Sequence, residues 1–368
     1  MQNNGNETDL LTCPKGERMT LADYRTLGRS GLIVSPLALG TMTYGAQRWG
    51  SPDDVSEAIF NAYVDAGGNF FDSADTYAKG RSEELLGQYV NKRGLREQVV
   101  LATKFTWNAV PGVPVMSGNS RKNIYRALDG SLKRLGTDYI DLYWLHHWDL
   151  VTPVEEVLQT LGDLVRAGRI RYFGFSNVPA WYAAQAATLS QVHGVPGPIA
   201  LQLEYSLTER GLEREHAGAA QQFGLGITPW SPLAAGFLAG KYLRETQGAS
   251  GEGRLSGPNP FGDSKFTESN WAVLDVLRAV ADEVQRPAAQ VALAWASAQP
   301  AITSLIIGAS KVAQLEDNLA SLEIMLTPQQ LERLDKASAL TPSTPSSLLA
   351  PGIKKMIFGG ATVRGWQE

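Results

Sequence analysis

Residues 69–87 read NFFDSADTYAKGRSEELLG. An apolar run, Phe70-Phe71, ends on an acid, Asp72; a short loop then delivers a phenol, Tyr77, and a helix opens at Ser82. Strand, loop and helix in so short a span form the repeating unit of an α/β fold. Acid and phenol both lie past the end of the strand, where they can face one pocket, and both types suit proton transfer. Each also has a plainer reading, since an Asp at a strand end is often a turn or cap residue and a loop Tyr often only packs. The rest of the chain has to separate these readings.

The unit recurs. Eight β-branched or aromatic runs, each followed by a segment of helical period, occur at residues 34–39, 69–72, 98–104, 139–146, 172–176, 200–205, 226–230 and 304–308. Alternation of this kind implies a parallel sheet, and eight repeats suit a closed α/β (β/α)8 TIM barrel better than an open doubly wound sheet. No GxGxxG follows any of the runs, which counts against the open dinucleotide-binding alternative. Helix signals agree. Ser51-Pro52-Asp53-Asp54 offers an N-cap, a proline at the first helical position and acids near the positive helix end. Thr152-Pro153-Val154-Glu155 reads as a capping box, and Ile124, Leu128, Leu132 and Leu135 form an apolar stripe closed by Gly136.

The barrel is expected as a single domain over residues 24–340, after a flexible N-terminal extension at 1–23. Two regions break the rhythm. Residues 240–270 are rich in Gly, Ser and Pro and too long for a simple connection, which suggests a lid or a disordered insertion, the lid being preferred. The tail, 341–368, shows no helical period and is expected either to drape over the barrel mouth or to be disordered.

With 43% hydrophobic and 19% charged residues, the 368-residue chain has an ordinary globular composition. A net charge of −4 argues against broad nucleic-acid affinity, so any anionic ligand needs a local basic site. Cys13 is the only cysteine, which excludes an intramolecular disulfide and a thiolate metal site; no metal is expected. No run of about 18 apolar residues occurs and the N-terminus lacks a basic start followed by an apolar segment, so the expectation is a cytoplasmic protein without membrane insertion.

In such barrels the reactive groups sit where strands end. The polar residues there are Asp72, Lys104, His146 and His147, Ser176-Asn177, Gln202 and Glu204, Trp230-Ser231, and Gly308-Ala309-Ser310. A strand-end lysine is often a snorkelling surface charge and a strand-end histidine often only packs. Their joint occurrence on successive strands is harder to dismiss.

From about Tyr24 to Leu322 the chain resembles the aldo-keto reductase superfamily, NAD(P)H-dependent carbonyl reductases on a (β/α)8 barrel. The resemblance rests on YRTLGRSGLIVSPLALGTMTYG, FFDSADTY with SEELLG, ATK, DLYWLH, GFSN, SPLAAGFLAGKY and IIGASKVAQLEDN. The last two are similar to the branch that contains the potassium-channel β subunits. The resemblance implies a catalytic tetrad of Asp72, Tyr77, Lys104 and His146. A lysine ammonium beside a phenol favours the phenolate and brings its pKa toward the working range, while an aspartate holds the lysine. His146 and His147 point to opposite faces; the family pattern matches His146, whereas channel β subunits have asparagine there.

The same resemblance implies a cofactor site for NADP(H). Thr41, Met42 and Asp72 match positions near the nicotinamide, Ser176, Asn177 and Gln202 the residues that hold the carboxamide, and Trp230 the stacking aromatic ring. Ser231, Pro232 and Leu233 match the pyrophosphate segment; Gly308, Ser310, Gln314, Asp317 and Asn318 match the adenosine end. Many relatives carry a lysine-serine pair and an arginine where this chain has Gly308-Ala309 and Gln314. Lys241 and Arg254 match basic residues that reach the phosphates in the channel-subunit branch. Tyr44, Trp49, Trp107 and Trp148 fall in loops beyond strand ends and are candidates for an aromatic substrate pocket, or for packing on the rim. The implied activity is reduction of an aldehyde or ketone, or its reverse, on a small carbonyl or alcohol partner. The alternative is a slow-turnover, redox-sensing regulatory subunit.

Overall fold

The structure is a computed structural model that describes residues 19–47, 50–107, 110, 112–245, 255, 265–348 and 351–363. It opens with a two-stranded antiparallel hairpin, β1 (Arg25–Thr26) and β2 (Ile33–Val34). Eight parallel strands follow: β3 (Leu37–Gly40), β4 (Phe70–Asp72), β5 (Val100–Phe105), β6 (Ile140–Leu145), β7 (Ile170–Ser176), β8 (Ala200–Gln202), β9 (Gly226–Ile227) and β10 (Leu305–Ile307). Their order is β10-β3-β4-β5-β6-β7-β8-β9. The ends meet: Ile227 bridges Ile302, Thr303 N–H donates to Ile227 O at 2.8 Å, and Ile306 N–H donates to Pro229 O at 2.9 Å. The chain is therefore an α/β protein with the (β/α)8 barrel fold, and each of the eight expected runs contributes a strand.

Helices α1 (Asp53–Asp65), α2 (Arg81–Lys92), α3 (Arg121–Leu135), α4 (Val154–Arg166), α5 (Ala180–His193) and α6 (His216–Phe223) return the chain between successive strands. After β9 come α7 (Glu268–Val284) and α8 (Ala288–Ser297); after β10 come α9 (Val312–Leu319), α10 (Pro328–Ala337) and α11 (Pro351–Ile357). Strand periodicity sorts the core into two compartments. One alternate set, Ala38, Phe70, Val100, Ala102, Leu142, Trp144, Ala200 and Ile306, fills the barrel with Leu27, Leu32 and Val34 of the hairpin packed among them. The other, including Leu39, Phe71, Leu101, Tyr143, Phe175 and Leu201, meets the helices. Full burial of one such Leu or Phe side chain contributes roughly 1.5–3 kcal/mol, so this layer fixes which face of every strand looks inward.

The helix starts differ in detail from expectation. Pro52 and Pro153, expected at the first helical position, are themselves the cap residues, as are Pro179 and Pro287. The fixed φ of proline suits an extended cap residue as well as a first helical one. Ser51 and Thr152 are thereby left one residue too early to cap, and the Thr152 hydroxyl donates instead to Asp149 Oδ2 at 2.6 Å. The stripe on α3 ends as expected at Gly136, with φ 63°. Helix α2 starts one residue before Ser82, which is buried.

Of the expected extension, residues 1–18 lie outside the described residues. Residues 19–23 are folded back: Met19 N–H donates to Leu322 O at 3.1 Å, and Leu21 is buried. The tail contains α11, which was not legible because Met356 and Ile357 are exposed and leave no buried stripe to betray a helix. Arg214, in the loop after β8, donates to Ser343 and to Thr341 O and ties down the start of the tail. In the long segment after β9, Lys265 pairs with Glu204 at 3.0 Å and Leu255 N–H donates to Tyr242 Oη at 3.1 Å; residues 246–254 and 256–264 lie outside the described ones.

Candidate active site

Stepping two residues on from an inward-facing core residue leads, on five strands in succession, to a polar side chain at the barrel mouth. Phe70 leads to Asp72, Ala102 to Lys104, Trp144 to His146, Gly174 to Ser176 and Ala200 to Gln202. The period-2 alternation of a strand makes this arithmetic obligatory. Neighbouring strands hold the set level, since Asp72 pairs in register with Ala102, Lys104 with Trp144, and Ser176 with Gln202.

Lys104 is fully buried. Its Nζ donates to Asp72 Oδ2 at 2.5 Å, to Ser73 O at 2.6 Å and to Tyr77 Oη at 3.4 Å, which uses all three ammonium protons. Asp72 accepts a further bond on Oδ1 from Gln202 Nε2 at 2.9 Å. Burial works against the Lys104 charge, but the Asp72 carboxylate and the Tyr77 phenol outweigh it and hold its pKa above the ordinary lysine value. An ammonium kept charged beside a phenol stabilises the phenolate form of that phenol.

Tyr77 arrives on a single 3-10 turn, Tyr77–Gly80, whose last three residues all have positive φ: Ala78 46°, Lys79 57° and Gly80 93°. The chain thus doubles back between β4 and α2 and leaves the Tyr77 ring half-buried against Lys104. His146 stands edge-on to the Tyr77 ring at 6.0 Å, and Trp107, about half exposed, stands edge-on to His146 at 6.1 Å. His147 has its Nδ1 2.6 Å from Trp148 O. Burial first, then the charges of Lys104 and His147, push the His146 pKa well below the usual histidine value, so the imidazole is neutral near pH 7. Its Nδ1 is buried without a hydrogen-bond partner.

Asn177 links the next strands. Its Nδ2 donates to His146 O at 3.0 Å and its Oδ1 accepts from Trp230 Nε1 at 3.2 Å. Asp72, Tyr77, Lys104, His146, Trp107, Ser176, Asn177, Gln202 and Trp230 are therefore joined by direct contacts in one mouth. Past Trp230 the chain makes a tight loop in which Ser231, Ala234, Ala235 and Gly236 all have positive φ, with the Ser231 hydroxyl accepting from Ala235 N–H at 3.0 Å. Pro232 is buried there and Leu233 packs against the core. Lys241 folds back over this loop, its Nζ 3.4 Å from the place a Cβ on Gly236 would occupy.

A second group gathers where β10 meets α9. Gly308 is open, and a Cβ placed on it meets no atom within 4 Å. Ser310 donates from both its amide and its hydroxyl to Gln314 Oε1, at 2.8 and 3.0 Å, and Asn318 Nδ2 donates to Gly308 O at 3.2 Å.

Several candidates are placed elsewhere. Tyr44 is not a pocket residue: it is fully buried in the layer between strands and helices, its ring meeting Tyr89 at 6.0 Å, because its bridge to Ser51 turns it away from the mouth. Thr41 is buried too, its hydroxyl 2.8 Å from Ser82 Oγ and 3.3 Å from Asp72 O, so it braces the loop from behind; Met42 beside it is half-buried. Trp148 packs edge-on to Trp181 at 5.3 Å and leans on α5, away from Trp107. Asp317 accepts from Gln290 of α8 at 2.7 Å and so faces that helix. Trp49 and Arg254 lie outside the described residues. The Ser73 carbonyl that completes the Lys104 cage was missed, since a backbone acceptor leaves no mark in a residue pattern.

Residues 36–339 match the aldo/keto reductase family. The chain belongs to that family. Among similar proteins, a probable voltage-gated potassium channel subunit beta of Oryza sativa subsp. japonica is 37% identical over 329 residues, spanning 88% of this chain and 97% of the relative. An uncharacterized oxidoreductase of Bacillus subtilis (strain 168) is 36% identical over 321 residues, covering 85% of this chain and 95% of the relative. An aryl-alcohol dehydrogenase [NADP(+)] of Phanerodontia chrysosporium is 32% identical over 337 residues, covering 88% and 87%. As an aldo/keto reductase, the chain stands in a family of nicotinamide-dependent oxidoreductases acting on small molecules. Among the described residues, no helix is long and apolar enough to cross a membrane.

Proposed function

We propose that this aldo/keto reductase uses NADP(H) to reduce an aldehyde or ketone to the alcohol, or to run the reverse oxidation, with Tyr77 as general acid. The reading is carried by the buried Lys104 ammonium held between Asp72 and Tyr77, with the neutral His146 ring beside them. The residues present suit a nicotinamide dinucleotide: Asn177 and Gln202 offer amide groups at the mouth, Trp230 offers a ring face, the loop at 231–236 offers a turn of positive φ under Lys241, and Gly308 leaves the entrance to α9 open. When bound, that group supplies or accepts the hydride.

Each residue then has a task. Lys104 stabilises the phenolate that remains once Tyr77 Oη passes its proton to the substrate oxygen, and in the reverse direction that phenolate takes the proton back. Asp72 keeps Lys104 charged and fixed. His146, neutral, offers a hydrogen bond to the carbonyl oxygen, which turns it toward Tyr77 and stabilises its developing charge. Trp107, standing over His146, provides an apolar wall that favours an aromatic or otherwise bulky carbonyl compound. Phosphate charge is met by Lys241, with Arg254 and Lys311 as further candidates; Gln314 is already engaged with Ser310 and carries no charge. The fold is read as one catalytic domain over residues 24–340, and the single cysteine favours the cytoplasm.

The channel-subunit relatives support a second reading, a redox-sensing subunit that holds the cofactor tightly and turns over slowly. Oxidation of NADPH and NADH by a panel of aromatic and aliphatic aldehydes and ketones, with stopped-flow release of the cofactor, tests both. Steady multiple turnover of a carbonyl substrate, with oxidised cofactor released at least as fast as kcat, supports the enzyme. No turnover on any member, with release slower than every assay, would sink it in favour of the sensor.

A further inference from the structure

The turn that presents Tyr77 is held in a conformation that Ala78 and Lys79 rarely adopt, so its surroundings must impose it. Within the turn, Tyr77 N–H donates to Ala74 O and Lys79 N–H to Thr76 O, both at 3.1 Å, while Asp75 N–H donates to Lys104 O at 3.2 Å. From outside, the Arg134 side chain of α3 lies against Gly80 so closely that a Cβ there would sit 2.7 Å from Arg134 Cδ. Arg134 Nε is in turn ion-paired with Glu83 Oε2 of α2 at 2.6 Å. Glu83 is fully buried, and its Oε1 accepts from Thr103 Oγ1 at 2.5 Å. This network lies between sheet and helices, on the opposite side of β5 from the Lys104 ammonium.

Asp75 shares that layer. Its Oδ1 is buried without a hydrogen-bond partner, and so is the hydroxyl of Tyr143, on which its charge acts. Burial, then the Glu83 carboxylate, push the Asp75 pKa up to about 7, against the pull of Arg134, Arg126 and a hydrogen bond from the Thr76 backbone. The facing groups are thus Glu83 from α2, Arg126 and Arg134 from α3, and Tyr143 from β6. Arg134 is committed to Glu83, and Arg126 is bonded to Asn123 Oδ1 and Met116 O. Among the described residues, neither arginine makes an ion pair with Asp75.

We propose that Asp75 is a proton-linked positioning residue for Tyr77: while its carboxyl is neutral the 77–80 turn rests on the Glu83–Arg134 pair, and ionisation draws Arg134 away and loosens the turn. The consequence for catalysis rests on the reading of Tyr77 as the general acid. A second buried negative charge beside Glu83 has two escapes, recruiting Arg134 or swinging to solvent. Either one moves the backbone two residues ahead of Tyr77.

Amide hydrogen exchange of the 73–81 region in the full chain, corrected for intrinsic rates, reads the coupling directly. In the wild type, protection of the 76–80 amides is expected to fall at least about fivefold between about pH 6 and pH 8.5, with a midpoint near the Asp75 ionisation. In Asp75→Asn, a neutral isostere, protection should stay high across that range. Glu83→Gln supplies an independent variant: it removes the pair on which the turn rests and frees Arg134, so protection should be low across that range and without the wild-type midpoint. With NADPH and 4-nitrobenzaldehyde as probe, wild-type kcat should show a limb near the same pH that Asp75→Asn lacks. Wild-type protection that is flat with pH, or an Asp75→Asn variant with the wild-type pH dependence, overturns the proposal. Exchange needs no turnover, so a chain inactive toward every carbonyl compound would remove the catalytic reading while the exchange profile still decided the coupling.

Discussion

Lys104 has every ammonium proton placed by Asp72, Ser73 and Tyr77, and no water-facing surface. Such a buried pair stabilises little in net terms, yet removing one member costs about 3–5 kcal/mol because the other is left charged and unpaired. Its retention points to chemistry more than to stability, and Tyr77 is where that chemistry is read. Tyr77→Phe removes one oxygen from the mouth; kcat for carbonyl reduction is expected to fall at least about a hundredfold, the usual scale for general-acid catalysis, with cofactor affinity nearly unchanged in a binding titration. Near-normal turnover in a variant whose chemical step is rate-limiting would take Tyr77 out of the mechanism. The two histidines separate in the same way. His146→Ala should lower kcat strongly, whereas His147→Ala, whose ring nitrogen lies by the Trp148 carbonyl, should mainly lower stability. Equal activity losses in two folded variants would contradict the inward placement of His146. At the far end of the site, Lys241→Ala should weaken NADPH binding by roughly the 1.5–3 kcal/mol of a charge-assisted contact and leave NADH almost untouched. Equal weakening of both cofactors would place Lys241 at the pyrophosphate that both carry and take it out of 2′-phosphate recognition.

At the scale of the element, what was legible in the sequence is what strand periodicity controls. The alternation that puts Leu142 and Trp144 inside the barrel also puts His146 inside, and the same count reaches Asp72, Lys104 and Gln202. Loops obey no such period. Tyr44 was legible as a loop aromatic past a strand end, yet a single bridge to Ser51 sends it into the helix layer. Trp148 follows the α5 aromatics for lack of any register to hold it at the mouth. The caps of α1 and α4 were misplaced by one residue because proline suits both positions. The hairpin at the bottom of the barrel was hidden for another reason: its strands are two residues each, too short for a pattern. Its turn is nonetheless strictly constrained. Gly28 has φ 61°, and a Cβ there would lie 2.4 Å from Ile199 O and 2.5 Å from Gly226 N, both backbone atoms that cannot yield. Gly28→Ala is expected to destabilise the fold by about 2–5 kcal/mol, combining left-handed strain with overpacking, in a urea titration. A loss under about 0.5 kcal/mol, the level of an ordinary surface substitution, would mean that the hairpin does not seat the barrel floor.

For the whole molecule, the acid and base groups held in their unfavoured states set how stability varies with pH. Asp75 has a folded pKa of about 7 against a carboxylate value of 3.8, so the native state binds its proton more tightly than the unfolded chain does. Below 3.8 both states are protonated and Asp75 costs nothing; between there and about 7 the cost rises by about 1.4 kcal/mol per pH unit, and above about 7 it is constant. His146 acts in the opposite sense. Its folded pKa lies well below the ordinary 6.5, so as pH falls through 6.5 the unfolded chain takes a proton that the native state refuses, and stability declines on the acid side. The two slopes oppose each other just below pH 6.5, which flattens the wild-type profile there and hides both contributions. Asp75→Asn exposes them by removing only one. Its stability relative to wild type should climb by about 1.4 kcal/mol per pH unit from about pH 4.5 to 7 and then level off, whatever fixed offset the amide itself introduces. Urea midpoints for the two proteins across that range measure the difference directly. A constant difference would mean that Asp75 is ionised in the folded state throughout, that the cluster behind Tyr77 carries two charged carboxylates at neutral pH, and that its arginines have more to neutralise than Glu83.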